Sequence, residues 1–78
     1  MAVQAYVLVQ TEPGRAGDVA RSALRIEGVL TADDVTGPYD VILRTEADDV
    51  DALARLVSSR VQALPGITRT LTCPVVQA

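Results

Sequence analysis

Four places in this chain carry residue types that could do chemistry: the acidic run Asp48-Asp49-Val50-Asp51, the pair Asp33-Asp34, the single Cys73, and Thr36-Gly37-Pro38-Tyr39-Asp40. The sequence contains no histidine. A serine or cysteine nucleophile therefore has no imidazole base, and the usual metal-ligand sets cannot be assembled. The acidic run could ligate a hard divalent cation. It also stands where a helix begins, and there Asp48 with Asp51 at the third position reads as a cap, with Asp49 favouring the dipole. Capping is the role expected. Asp33 and Asp34 are neighbours on a strand, so they point to opposite faces and form no acid–base pair. Cys73, without an electropositive neighbour in sequence, reads as a small, half-buried apolar residue and not as a nucleophile. Gly14-Arg15-Ala16-Gly17 lacks the lysine and the length of a phosphate loop. No cofactor motif is present.

The segment Thr36–Asp40 is different. It joins two apolar runs, where a tight hairpin would favour Asn-Gly or Asp-Gly. One reading is an elongated connection with Tyr39 packed on the sheet and Asp40 solvated. The other is a ligand loop. Gly37 allows close backbone approach, Pro38 stiffens the segment, and Asp40 offers a carboxylate with no partner nearby in sequence. The two ends of a free amino acid, ammonium and carboxylate, would complement Asp40 and the loop amides. Thr68, Thr70 and Thr72 alternate along the last strand. A hydroxyl row is often only β-propensity, but it can also line a small polar pocket.

The elements that must position these residues come in two copies. Tyr6–Glu12 (YVLVQTE) matches Asp40–Glu46 (DVILRTE), and each is followed by a helical pattern and then by Gly28-Val29 or Gly66-Ile67. Ala16, Val19, Ala20, Ala23 and Leu24 make one helical stripe. Val50, Leu53, Ala54, Val57, Val61 and Leu64 make the other. Strands are expected over 3–11, 29–36, 39–46 and 67–75. Two strand–helix–strand halves give βαββαβ, an α+β ferredoxin-like sandwich in which both helices cover one face of a four-stranded antiparallel sheet. The first and third strands are central. Val3, Ala5, Val7 and Val9 form one row, and Tyr6, Leu8 and Ile42 stand on the other side; the first row is read as helix-facing, with the reversed assignment as the alternative. Apolar residues on both faces require a second cover, and a sheet-to-sheet dimer supplies it.

Bulk composition agrees. A chain of 78 residues is one small domain (1–78), marginal when alone, and with one cysteine and no histidine it has neither disulfide nor zinc to lean on. Net charge is −3, all seven basic residues are scattered arginines, and there are only two tyrosines to stack on bases. Direct nucleic-acid binding is not expected. No signal peptide or membrane-length run is legible, so a cytoplasmic location is expected.

These residues also carry a family likeness. Gly28-Val29, the stretch Val35–Leu43 (VTGPYDVIL) and Leu64–Thr72 (LPGITRTLT) resemble the signatures of the effector-binding RAM domain of Lrp/AsnC transcriptional regulators. The resemblance covers essentially the whole chain. It implies a homodimer formed through the sheets, rings or discs of dimers, and amino-acid binding between dimers. By that analogy Gly37, Tyr39 and Asp40, with Thr70 and Thr72, fall in the effector site; Thr36 and Pro38 are counted with them as members of the same loop, Pro38 being a local variation on the family pattern that would narrow or preorganise it. Full-length members carry a helix-turn-helix domain; none is legible ahead of Val3 in this sequence, and a stand-alone effector domain is expected. The function expected is thus an oligomeric amino-acid-binding regulatory module acting through a partner or by mixed assembly with full-length regulators. A small dimeric ferredoxin-like enzyme and a ligand-free assembly module are the alternatives.

Overall fold

The computed structural model describes residues 2–76. In chain order they form β1 (Val3–Thr11), α1 (Ala16–Ala23), β2 (Val29–Asp34), β3 (Val41–Ala47), α2 (Val50–Arg55), a π-helical continuation of α2 (Leu56–Val61) and β4 (Ile67–Pro74). The strands are antiparallel and ordered β2-β3-β1-β4. This is the ferredoxin-like plan, with β1 and β3 in the centre.

The sequence repeat becomes a pseudo-twofold. Leu8 lies opposite Ile42, its equivalent in the second copy, with Val7 opposite Leu43 and Val9 opposite Val41 around them. Each copy closes in the same way. The Glu46 N–H donates to the Gly28 carbonyl and the Glu12 N–H to the Gly66 carbonyl, both at 2.8 Å. Gly28 and Gly66 have φ of +100° and +93° respectively, a region that side chains strain to enter. A Cβ on Gly28 would also meet the Glu46 carbonyl at 3.0 Å and a Leu56 methyl at 3.1 Å. Gly28→Ala is therefore expected to destabilise the fold by about 1–2 kcal/mol from backbone strain alone. A urea melt checks it, and an unchanged midpoint would remove the glycine requirement.

Ala5, Val7, Val9, Val41 and Leu43 are wholly buried beneath the helices, with Val19, Ala23 and Val61. The fully buried Thr45 donates its hydroxyl to the Ala5 carbonyl at 2.9 Å, so it leaves no unpaired polar group in the core.

Several boundaries differ from expectation. β2 stops at Asp34 and β3 starts at Val41, so Tyr39 and Asp40 belong to the connection and not to a strand. β3 runs one residue further, to Ala47, and this delays the helix. Asp49, not Asp48, becomes the cap: its Oδ1 accepts from the Ala52 N–H at 2.7 Å. In the second stripe Val50 and Ala54 are exposed while Leu56 is buried. The π segment explains the later part of this change. Its widened turn, with the Gln62 N–H donating to the Val57 carbonyl at 2.9 Å, shifts which side chains meet the sheet. Leu24 is exposed because α1 ends before it, and Ile26 fills the core instead.

Among the described residues nothing covers the opposite sheet face. Tyr6 is 45% exposed and Leu71 44%, with Leu8 and Ile42 half-buried between them. Leu8 faces Ile42 on one side and Leu71 on the other, and Tyr6 faces Cys73. Cys73 is exposed, contrary to the half-buried position expected, because edge strand β4 turns it to this open face. Toward one end the patch gives way to polar groups: Gln4 donates to Glu46 and accepts from Arg44, both at 3.1 Å.

Candidate functional site

The connection between β2 and β3 is held by its stem. The Val35 N–H donates to the Asp40 carbonyl at 3.0 Å, and the Asp40 N–H to the Val9 carbonyl at 2.9 Å. The tip, Thr36-Gly37-Pro38, is exposed, and Tyr39 and Asp40 are half-buried. Gly37 adopts φ +145° with open space where a Cβ would be, so the backbone there is free to meet another molecule.

Asp40 has the partner that its sequence surroundings do not disclose. Its Oδ2 accepts from the Thr11 N–H at 2.8 Å, where β1 leaves its regular register with β4. Its Oδ1 has no hydrogen-bond partner among the described residues. Gln10 adds a second clamp, its Nε2 donating to the Pro38 carbonyl at 3.0 Å. The N–H groups of Thr36, Gly37 and Tyr39 have no intramolecular partner among the described residues. The loop thus offers unengaged donors close in sequence to a carboxylate with one unengaged oxygen. That set can hold a small zwitterion.

The threonines lie elsewhere. Thr70 pairs with Val9 and Thr72 with Val7, which puts both on the helix-facing side of β4. Strand β1 separates them from the loop. Thr70 accepts from Gln62 Nε2 at 2.8 Å and lines a cavity of about 320 Å³ with Gln62, Ile67, Thr68 and Arg69. Thr72 lines a second, apolar cavity of about 300 Å³ between α2 and β4. No residue of Thr36–Asp40 lines either cavity. One chain therefore brings Thr36 to Asp40 together and leaves Thr70 and Thr72 apart from them.

Gln10, Thr11 and Gln62 are the participants that sequence reasoning does not single out. Gln10 and Thr11 stand in the first repeat where Arg44 and Thr45 stand in the second. Nothing in that correspondence signals a contact 28 or 29 residues away.

A family model for the Lrp/AsnC ligand binding domain matches residues 4–78. The chain belongs to this family. Among solved structures, TTHA0845 from Thermus thermophilus is 28% identical, with a TM-score of 0.92 over 97% of this chain and 95% of its own. The transcriptional regulator NMB0573 of Neisseria meningitidis, solved as a complex with L-methionine, superposes with a TM-score of 0.85 at 22% identity, over 96% of this chain and 50% of its own. A curated relative, an uncharacterised HTH-type transcriptional regulator (PH1916) of Pyrococcus horikoshii, is 27% identical over 71 residues. Those cover 87% of this Lrp/AsnC-type chain and 47% of the regulator, so the chain spans about half of that relative's length. No helix among the described residues is long and apolar enough to cross a membrane.

Proposed function

We propose that this Lrp/AsnC-type domain is an oligomeric regulatory module that binds a free amino acid at the Thr36–Asp40 loop and acts in the cytoplasm through a partner regulator. The observation that carries the reading is the half-engaged Asp40. Oδ2 is fixed by Thr11, which leaves Oδ1 to receive an ammonium, while unpaired amides of the same loop are available to a carboxylate. Tyr39 forms the apolar wall.

The loop and the threonines do not meet within one chain, so in this reading Thr70 and Thr72 are supplied by a neighbouring subunit. Sheet-to-sheet dimers cover Tyr6, Leu8, Ile42 and Leu71, and rings of dimers complete the effector sites. Mixed assembly with full-length regulators would carry the signal to DNA, since this sequence has a net charge of −3 and no run of basic residues.

A thermal-shift screen of the twenty L-amino acids, with L-methionine among the first, tests the proposal. A ligand at a hundred times its Kd adds about 2.7 kcal/mol. In a domain this small that amounts to a rise in melting temperature of about 10 °C or more. No shift with any amino acid would favour the ligand-free assembly module.

A further inference from the structure

The tip of the loop is exposed, and Gly37 has no neighbour packed against the place of its missing side chain. Among the described residues, one hydrogen bond reaches residues 36–38 from outside the loop: the Gln10 carboxamide donating to the Pro38 carbonyl at 3.0 Å. Its effect extends to the next residue. A trans peptide is planar, with its C=O and N–H pointing in opposite directions. Holding the Pro38 carbonyl toward Gln10 therefore fixes the Tyr39 N–H in the opposite direction. Pro38 has no N–H of its own, so the amides left to this loop for an anion are those of Thr36, Gly37 and Tyr39. Rotation of the Pro38–Tyr39 peptide would replace one of those donors with a carbonyl, which repels a carboxylate.

We propose that Gln10 is a positioning residue for the effector loop, orienting the Pro38–Tyr39 peptide so that the Tyr39 N–H faces the carboxylate of the bound amino acid. This deepens the function proposed above and rests on it for the identity of the ligand. The same residue links the loop to β4. Its main-chain carbonyl accepts from the Thr68 hydroxyl at 3.2 Å, and Thr68 lines the polar cavity with Thr70. Thr68 is also the extra residue of the irregularity in the β1–β4 ladder, since Gln10 pairs with Arg69 and Thr11 with Ile67. Gln10 thus stands between the loop and β4, bonded to Pro38 on one side and to Thr68 on the other.

The test separates donors from acceptors at position 10. Gln10→Glu is nearly isosteric and, ionised, can only accept. Gln10→Lys is charged but still donates. Gln10→Ser removes the reach without adding charge. Backbone ¹⁵N relaxation on the ligand-free protein at pH 7 reads the loop directly. In the wild type and in Gln10→Lys, the order parameters of Gly37 and Tyr39 should be near the rigid value of about 0.85. In Gln10→Glu and Gln10→Ser they should fall below about 0.6. The amides of Val7 and Leu43 serve as the fold control. For any amino acid that the wild type binds, Gln10→Glu and Gln10→Ser, neither of which can donate to the Pro38 carbonyl, should bind about three- to tenfold more weakly.

A loop as ordered in Gln10→Glu and Gln10→Ser as in the wild type would overturn the positioning role and leave the effector reading intact. So would a Gln10→Lys loop as mobile as that of Gln10→Glu. Conversely, a wild type that binds none of the twenty amino acids would overturn the effector reading, while the relaxation result would still decide what orders the loop.

Discussion

Leu8→Asp is expected to dissociate the proposed sheet-to-sheet dimer, and light scattering should record either a folded monomer or an unfolded chain in its place. Leu8 sits at the centre of the open sheet face, opposite Ile42 across one ladder and Leu71 across the other. In one chain it is only half-buried, so a carboxylate there would retain much of its water. Against a second sheet it would not. Burying an unpaired carboxylate costs several kcal/mol, comparable to the whole stability of a domain this size. Whether the released subunit survives depends on how far the helix-covered core stands alone. The pseudo-twofold between Leu8 and Ile42 makes Ile42→Asp the natural companion, because it introduces the same charge from the second repeat. A wild type that is monomeric and stable at micromolar concentration would sink the interface, as would a Leu8→Asp protein of unchanged mass and melting temperature.

What the sequence discloses and what it hides divide along the range of the interactions. Alternation in β1 is local, and it divides the strand into an Ala5, Val7, Val9 row and a Tyr6, Leu8 row; because both are apolar, it is the packing of the helices that makes the first the buried one. The repeat likewise reveals the topology, because two similar strand–helix–strand units have few ways to share one sheet. Boundaries are hidden where two local signals compete. Either Asp48 or Asp49 can cap a helix, and the choice falls to the extra β3 residue, Ala47, which pairs with Val3 at the far end of β1. The burial of Leu56 is hidden for a related reason. A stripe drawn at constant pitch does not allow for the π turn that brings Leu56 and Val57 inward together. The site is the least legible part. Its five loop residues stand out by type, but the groups that hold them, Gln10 and Thr11, look like ordinary strand residues. Only the folded sheet puts them beside Pro38 and Asp40.

Asp40→Asn is expected to weaken effector binding by about ten- to a hundredfold while leaving the loop and the oligomer in place. The separation of these effects follows from the two oxygens of Asp40. Thr11 occupies Oδ2 with a backbone N–H at 2.8 Å, and a carboxamide oxygen can accept that same bond. Asparagine therefore keeps the structural half of the residue and loses the charge that would meet an ammonium. Removing the charged partner of such a hydrogen bond costs roughly 1.5–3 kcal/mol, the origin of the fold-change. Asp40→Ala removes both halves. It should lose the same affinity and also leave the Thr11 N–H without its acceptor, at a stability cost of about 1–3 kcal/mol. Calorimetry with whichever amino acid shifts the wild-type melting temperature, run beside urea melts of all three proteins, distinguishes the roles. Equal affinity for wild type and Asp40→Asn would move the ammonium site elsewhere. If the asparagine variant instead melted as early as the alanine variant, the charge would be acting through Thr11, and Asp40 would be a clamp on the loop with no hand in the ligand.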